Sequence, residues 1–238
     1  MKTVQALAGR FNTTNVVADF WTPLLAYFSA PIDIRPAESG RVLFTVRDLV
    51  IRRGDRIAVL GTNGVGKSAF LAALAGAHRT GLRTGSVEPS SRFNANARLA
   101  YFNQTMSDLP LSESPFSFIS RASDRGDAHV TAALAKAGFS FAQTRRRISD
   151  LSYGERTRLC FVAMKMRDHN FYLLDEPTNH LDVEGQEELE TQLCETDVTC
   201  ILVSHDRYFV SAVATRFLEI KNGRAYEVGY VKREETSE

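Results

Sequence analysis

The stretch Gly61–Ser68, GTNGVGKS, decides the fold of this chain. It has the spacing G-x-x-x-x-G-K-S, and it lies between a short apolar strand pattern, RIAVLG, and a helical pattern, KSAFLAALAG. Its glycines let the backbone turn tightly and aim N–H groups inward, and the following helix adds the positive end of its dipole. A glycine-rich turn without a ligand is the alternative, which the flanking strand and helix disfavour. The sequence therefore predicts a loop that binds nucleotide phosphates, lined by Gly61, Thr62, Asn63, Gly64, Val65, Gly66, Lys67, Ser68 and Ala69.

Strand and helix patterns alternate on both sides of this loop. RVLFTVRDLVI before it alternates as strands do, and after it the apolar strands FYLLD and CILVSH are separated by helical patterns. We expect the helix that begins at Lys67 to end at Gly76, and RFLEIKNGRAYEVG to form a hairpin that turns at Asn222 and Gly223. Alternating strands and helices predict an α/β fold, with a mainly parallel sheet flanked by helices.

Polar side chains follow three of the predicted strands. Asp175 is the last residue of FYLLD, and Glu176 comes directly after it. His205 follows ILVS, and Gln104 ends RLAYFNQ. Taken singly, these residues fit an exposed turn, a structural histidine and a surface glutamine. Because parallel strands end at one edge of a sheet, we expect them to meet at the phosphate loop. Asp175 and Ser68 would then hold Mg²⁺, and Gln104 would reach that ion or the attacking water. Glu176 would deprotonate this water, and His205 would bond the γ-phosphate or the water.

A second helix start, LSYGE, spans Leu151–Glu155. Ser152 followed three residues later by Glu155 is the capping-box pattern. Gly154 weakens a first helical turn by roughly 1 kcal/mol relative to alanine, unless bare backbone is needed there. The segment therefore predicts a helix start that also holds a ligand. Tyr153 has no evident role in either function.

Composition indicates an ordinary soluble protein of one large or two small domains. The chain has 238 residues, 44% hydrophobic and 24% charged, with a formal net charge of +1. That balance gives no general sign of nucleic-acid binding. The basic run Arg145–Arg147 is a candidate for a local basic patch, although such runs are more often solvated faces. Three cysteines without CxxC spacing argue against disulfides and zinc, and Cys160 and Cys200 lie in apolar runs and are expected to be buried. Such cysteine usage fits a reducing cytoplasm.

We expect neither a signal peptide nor a membrane segment in this chain. The most apolar N-terminal stretch, VVADFWTPLLAYFSAPI, contains Asp19 and Pro23. It is shorter than the run of roughly 20 apolar residues that spans a bilayer. A cytoplasmic location is the resulting prediction.

Taken together, the motifs resemble those of the ATP-binding cassette (ABC) ATPases. The resemblance lies in their order from about residue 41 to 229: phosphate loop, glutamine at a strand end, LSxGE, strand followed by DE, HLD, strand followed by histidine. It implies ATP and Mg²⁺ as ligands, a Q-loop at Gln104 and a signature motif at Leu151–Glu155. It also implies a D-loop at His180, Leu181 and Asp182.

The resemblance also implies a division of the chain. Residues 41–105 and 169–229 would form the ATP-binding core, and residues 106–168 an inserted helical subdomain with the signature motif. Residues 1–40 form an N-terminal extension whose structure the sequence leaves open, and residues 230–238 form a charged tail.

Within the superfamily, DEPTNHLD, SHDRYF and a signature that ends in Glu155 are similar to the ABC-F group. Proteins of that group lack membrane domains and act on the ribosome, in translation or in protection from antibiotics. The family pairs two cassettes head to tail, and each ATP lies between the phosphate loop of one and the signature motif of the other. The implied partners are a second cassette, in a homodimer or on a separate chain, and ribosomal RNA. A transporter ATPase subunit and a degenerate, non-hydrolysing fragment are the alternatives.

The chain departs from the family pattern in four ways. It holds one cassette where ABC-F proteins carry two, so we interpret it as half of a longer protein, one chain of a split pair, or a homodimer. Ala69 stands where the family commonly has threonine, and Tyr153 replaces a glycine of the signature. The aromatic residue that stacks on adenine has no clear counterpart, and Phe44, Phe28 and Tyr27 are the candidates.

Overall fold

The computed structural model describes residues 24–28, 31–36, 40–84, 91–106, 109–123, 125–167, 169–179, 181–194 and 198–229. The strands are β1 (Leu24–Phe28), β2 (Ile32–Ile34), β3 (Phe44–Val46), β4 (Leu49–Arg52), β5 (Arg56–Leu60), β6 (Ser91–Phe93), β7 (Leu99–Phe102), β8 (Phe171–Asp175), β9 (Thr199–Val203), β10 (Arg216–Lys221) and β11 (Arg224–Val228). The helices are α1 (Lys67–Thr84), α2 (Pro115–Ala122), α3 (Asp127–Lys136), α4 (Phe141–Arg145), α5 (Tyr153–Met166), α6 (Val183–Cys194) and α7 (Arg207–Val213), and a 3₁₀ turn covers Ile148–Asp150.

An eight-stranded sheet in the order β2-β3-β11-β10-β5-β9-β8-β7 forms the centre of the fold. The run β10-β5-β9-β8-β7 is parallel throughout, because each of its neighbouring pairs is parallel. The α/β fold with a mainly parallel sheet is thus confirmed. Its consequence is that β5, β7, β8 and β9 all end at one edge, where the predicted site residues follow them.

Strands β1 and β2 lie in the N-terminal extension, residues 1–40, whose structure the sequence leaves open. β2 pairs with β3 at one end of the large sheet. β1 is the middle strand of a second, antiparallel sheet in the order β4-β1-β6. Phe28 of β1 and Ile34 of β2 are fully buried in the core, and this burial holds both strands in place.

Two apolar clusters fill the molecule. One packs α1 against the two sheets and includes Phe70, Leu71 and Leu74 of that helix. The other lies beneath α2, α3 and α5 and includes Ile119, Leu134 and Leu159. We refer to helices α2 to α5 together as the helical subdomain; the apolar cluster beneath them continues onto β7, β8 and β9. Among the described helices, none has the length and apolar character needed to cross a membrane.

The expected end of α1 at Gly76 is wrong, because the helix continues to Thr84. The ring of His78 bonds the Ala97 carbonyl at 2.8 Å and meets the edge of the Phe93 ring. These contacts hold the additional turns against β6 and the loop before β7. They outweigh the roughly 1 kcal/mol that a glycine costs within a helix.

Three other predictions have mixed outcomes. The hairpin is confirmed: β10 and β11 pair antiparallel, and Asn222 and Gly223 turn with φ of 52° and 71°. All three cysteines are free, but only Cys200 is buried, whereas Cys160 is half-buried. Phe28 and Phe44 lie in the core and are closed to an adenine ring.

Candidate nucleotide-binding and hydrolysis site

The phosphate loop connects the end of β5 to the start of α1. Its turn requires glycine at two positions, since φ is 76° at Gly64 and 107° at Gly66. A Cβ at Gly66 would also lie 2.6 Å from Leu43 Cδ1 and 3.1 Å from Phe44 Cε1. The buried ring of Phe44 therefore supports the loop from below. Bare backbone here lets a phosphate approach the N–H groups at the helix start.

Lys67 lies within this loop and is 9% exposed. Its Nζ donates hydrogen bonds to the carbonyls of Gly61, at 2.9 Å, and Thr62, at 3.3 Å. The loop's own carbonyls thus hold an ammonium group where the motif needs it. Phosphate oxygens are stronger, charged acceptors that can replace these carbonyls.

Ser68 and Asp175 meet across the site although they are far apart in sequence. Ser68 Oγ donates a hydrogen bond of 3.0 Å to Asp175 Oδ1. Asp175 is 3% exposed, and burial raises its pKa, while the Ser68 hydrogen bond and the charge of Lys67 act in the opposite direction. A buried carboxylate that pays for desolvation is stabilised by a nearby cation. These oxygen donors suit Mg²⁺, which takes one or two carboxylates together with substrate phosphates.

Glu176 stands next to Asp175 in a backbone conformation that is uncommon outside glycine, with φ of 50°. It is 7% exposed, and its N–H donates to the Val203 carbonyl at 2.9 Å. Burial raises the pKa of the Glu176 carboxyl, which His205 partly opposes. A carboxyl with a raised pKa is a better proton acceptor than one in water, as a general base requires.

His205 is the partner of this carboxylate. Its Nε2 lies 3.3 Å from Glu176 Oε1, and its backbone N–H donates to Glu176 Oε2 at 3.2 Å. The side chain is 60% exposed, so its ring borders both the carboxylate and solvent. Ser204 before it shares a hydrogen bond of 3.1 Å with Thr178, which ties the end of β9 to the segment after β8.

Gln104 follows β7, whose register with β8 pairs Phe102 with Leu174. The structure thus places Gln104 at the same sheet edge as Asp175. Its side chain is exposed, and its backbone carbonyl accepts a hydrogen bond from Tyr153.

The signature motif lies on the helical subdomain, at the start of α5. The capping box is present: Ser152 Oγ accepts from the Glu155 N–H at 3.2 Å, and Glu155 Oε2 accepts from the Ser152 N–H at 2.7 Å. The Ser152 backbone hydrogen bond is the main cause of a lowered pKa at Glu155. Leu151 is buried, whereas Ser152 is exposed and Gly154 half-exposed. The helix N-terminus is therefore open to an anion from outside.

Within the D-loop, Asp182 and Leu181 are described and His180 lies outside the described residues. Asp182 Oδ1 accepts from the Gly185 N–H at 3.0 Å and so caps α6. The Leu181 N–H donates to the Thr178 carbonyl at 3.2 Å. The D-loop is therefore continuous with the segment that carries Glu176.

The sequence reasoning missed Gln143, which supports the signature motif. Gln143 Nε2 donates a hydrogen bond of 2.6 Å to Glu155 Oε1. Gln143 also belongs to a capping box with Ser140 at the start of α4. The pattern Ser-x-x-Gln at 140–143 was a signal for that box, but nothing in the sequence indicates the contact between the two boxes.

Comparison with known proteins identifies the family of this chain. A family model described as "ABC transporter" matches residues 45–179. The chain is 32% identical to the ribosome protection protein VmlR of Bacillus subtilis over 80% of this chain and 34% of that protein. It is 37% identical to the probable ATP-binding protein YbiT of Escherichia coli O157:H7, over 78% and 34%. It is 32% identical to ABC transporter F family member 2 of Arabidopsis thaliana, over 77% and 26%. The chain thus spans about a third of the length of these relatives or less.

Solved structures support the fold. The chain matches a structure named RNase-L Inhibitor with a TM-score of 0.64 and 24% identity, over 87% of this chain and 40% of that one. It matches a putative metal-chelate type ABC transporter with a TM-score of 0.61 and 20% identity, over 87% and 83%. With the family model and the curated relatives, these matches show that the chain belongs to the ABC ATPases, as a cassette similar to those of ABC-F proteins.

Proposed function

We propose that the chain is an ATPase that binds ATP with Mg²⁺ and hydrolyses it at the interface of two cassettes. The proposed biological role is that of an ABC-F-like protein, or of half of one, in the cytoplasm. The proposal rests on two contacts beside the phosphate loop: the hydrogen bond between Ser68 and Asp175, and the contact between the Glu176 carboxylate and the His205 ring. A binding module without hydrolysis has no need for a buried base in contact with a histidine.

Each residue contributes a separate part of the reaction. Lys67 exchanges the carbonyls of its loop for phosphate oxygens, and Ser68 and Asp175 hold Mg²⁺ with the exposed Gln104 beside them. When bound, Mg²⁺ neutralises the charge that develops on the phosphate oxygens. Glu176 accepts the proton of the attacking water, and His205 holds Glu176 and bonds the γ-phosphate.

The second half of each site comes from another cassette. Ser152 and the Gly154 N–H lie at the exposed start of α5, where they can donate hydrogen bonds to the γ-phosphate of an ATP bound by the other cassette. ATP stabilises the closed pair because these contacts exist only in that state. Hydrolysis removes the bridging phosphate and lets the two cassettes separate.

The proposed target is the ribosome. One relative is named a ribosome protection protein and another an F family member. A fold neighbour is titled as an archaeal ribosome recycling factor, at 23% identity. Translation or antibiotic resistance is therefore the process we propose. An ABC transporter subunit is the second candidate, which the fold match to a metal-chelate type transporter favours.

Co-sedimentation with ribosomes tests this proposal and separates the candidates. The Glu176→Gln chain is expected to sediment with ribosomes in ATP and to stay in the supernatant in ADP. Recovery with membranes, and not with ribosomes, would favour the transporter subunit.

ATP turnover per molecule is expected to rise with protein concentration, because each complete site needs two cassettes. A turnover that stays constant while the chain remains monomeric rules out the shared site. Wild-type turnover no faster than that of Glu176→Gln identifies the chain as a non-hydrolysing fragment.

A further inference from the structure

A tyrosine stands within the signature motif but makes its contacts inside the molecule. Tyr153 is the first residue of α5, and its half-buried ring packs against the apolar cluster beneath the helical subdomain. Its hydroxyl donates a hydrogen bond to the backbone carbonyl of Gln104. Burial raises the pKa of Tyr153, with Cys160 adding to the shift, so the hydroxyl keeps the proton that it donates.

The loop that receives this hydrogen bond is a tight turn. Thr105 Oγ1 donates to Asn103 Oδ1 at 3.2 Å, and the Met106 N–H donates to the Asn103 carbonyl at 3.1 Å. Met106 itself has a φ of 47°. Local hydrogen bonds thus join the residues on either side of Gln104, while the Gln104 carbonyl is bonded to the other subdomain. Its side chain stays exposed.

The position of this loop makes the contact relevant to the metal site. β7 and β8 run parallel, with Tyr101 opposite Leu173 and Phe102 opposite Leu174. Gln104 therefore leaves the sheet beside Asp175, which bonds Ser68. A small displacement of the Gln104 backbone changes where its amide lies relative to these two oxygen ligands.

We propose that Tyr153 is a positioning residue for Gln104. Its hydroxyl holds the backbone from which the Gln104 amide serves the Mg²⁺ site of its own cassette. Since Tyr153 and Gly154 are neighbours at one helix start, the ATP of the partner cassette and the metal site of this one share a mechanical connection. The inference rests on the proposed function, in which Gln104 takes part in binding Mg²⁺.

The test measures nucleotide affinity as a function of Mg²⁺ concentration, with a fluorescent ATP analogue and the full chain. Tyr153→Phe keeps the ring and removes the hydroxyl. We expect the half-saturating Mg²⁺ concentration to rise by roughly three- to tenfold, the range that one hydrogen bond produces. Nucleotide affinity in EDTA is expected to stay unchanged.

Tyr172→Phe is the matched control. The Tyr172 hydroxyl also donates to a backbone carbonyl, that of His169, at 3.0 Å, and its side chain is also half-buried. Its strand position lies near the start of β8, away from the phosphate edge. We expect its Mg²⁺ dependence to match the wild type, although both variants lose the same kind of hydrogen bond.

A double-mutant cycle shows whether Tyr153 acts through Gln104. In a Gln104→Ala chain, Tyr153→Phe is expected to shift the Mg²⁺ dependence no further. The same shift in both backgrounds, or a Tyr153→Phe variant that behaves like Tyr172→Phe, would overturn the positioning role alone. A wild-type chain that binds no nucleotide would overturn the proposed function, and this inference with it.

Discussion

Two helix N-termini of this chain carry the features of phosphate sites, and they differ in what surrounds them. At the start of α1, the nearly buried Lys67 meets the buried Asp175 and Glu176, which stand at the end of β8. At the start of α5, Ser152 faces solvent. Its hydroxyl accepts a hydrogen bond from the Glu155 N–H, and the Glu155 carboxylate accepts one from the Ser152 N–H. The first N-terminus has its chemistry assembled within one chain. At the second, the carboxylate of Glu155 is engaged in the cap, and the ligand that we propose for this N-terminus belongs to another cassette.

The largest expected effect removes the base of the assembled site. Glu176→Gln is expected to lower the ATP turnover number by about 10²- to 10⁴-fold, because an amide cannot accept the proton of water. ATP binding should persist, since the phosphate loop is intact. Steady-state hydrolysis and nucleotide binding measure the two effects. Glu188→Gln, on the exposed face of α6, controls for the lost charge, and a proportional loss of binding in Glu176→Gln would contradict its assignment as the base.

Removing the lysine of the same site should lower ATP affinity instead. Lys67→Ala is expected to weaken ATP affinity by about 10- to 100-fold, through the loss of charge-assisted hydrogen bonds to phosphate. Calorimetry or a fluorescent analogue measures the change. Lys221→Ala, at the exposed end of β10, is the control. Equal affinities of the two variants would show that the loop does not use its lysine.

The half-site at α5 should respond differently. Gly154→Asp places a negative charge where a phosphate approaches, yet a carboxylate at a helix N-terminus is favourable for folding. We expect hydrolysis to fall by about tenfold or more, by analogy with lost oxyanion donors. Nucleotide affinity of the single cassette should be unchanged. A fall in that affinity would place the signature motif in the chain's own site.

Mixing the two defective chains sharpens the comparison further. A pair of Lys67→Ala with Gly154→Asp contains one intact site, made from the phosphate loop of one chain and the signature of the other. For random pairing in a two-fold dimer, roughly a quarter of the wild-type rate should return. The rates of the two pure variants, each assayed alone, provide the baseline. No recovery would show that the chain does not pair with itself.

The two capping boxes allow the contribution of Ser152 to folding stability to be separated from its contribution to hydrolysis. Ser152→Ala and Ser140→Ala each remove an N-cap hydroxyl, and each is expected to cost about 1 kcal/mol of unfolding free energy. Only Ser152→Ala should also lower hydrolysis, because only that hydroxyl faces the proposed ligand. Thermal melting and ATPase assays on both variants test this. Equal ATPase losses would reduce Ser152 to a cap.

The smallest effect is a pH dependence of stability. Burial raises the pKa of Asp175 and Glu176, so the folded state disfavours their ionised forms. This cost is fully present above the folded pKa values and disappears below the unfolded ones, at about pH 4. Glu176→Gln should therefore melt higher than the wild type at pH 8, by about 2–4 °C for each 1 kcal/mol removed. A difference that grows on acidification would contradict the sign.

Sequence indicated the residues whose chemistry depends on near neighbours. The phosphate loop needs its glycines within one turn, and Ser152 and Glu155 cap within three residues, so their spacing alone carries the prediction. The strand ends at Asp175 and His205 were also predictable, because apolar runs end there. The parallel order of β7, β8 and β9 then placed them at one edge.

Contacts over long sequence separation that no strand end positions were not predictable. Tyr153 bonds Gln104 across 49 residues, and no pattern in either segment indicates the other. The end of α1 was missed because His78 finds a partner at Ala97, which outweighs the local effect of Gly76. The left-handed backbone of Glu176 was missed for a similar reason, since tertiary contacts and not residue type maintain it.

The contact between the capping boxes has a consequence for how the signature motif can vary in evolution. Glu155 accepts hydrogen bonds at both oxygens, from Ser152 and from Gln143, while the Gln143 oxygen accepts from Ser140. A glutamine at 155 would direct an N–H₂ group at the N–H₂ of Gln143, and a flip of Gln143 would face that group to the Ser140 N–H. Positions 143 and 155 are therefore expected to covary, with homologues that carry glutamine at 155 carrying glutamate at 143.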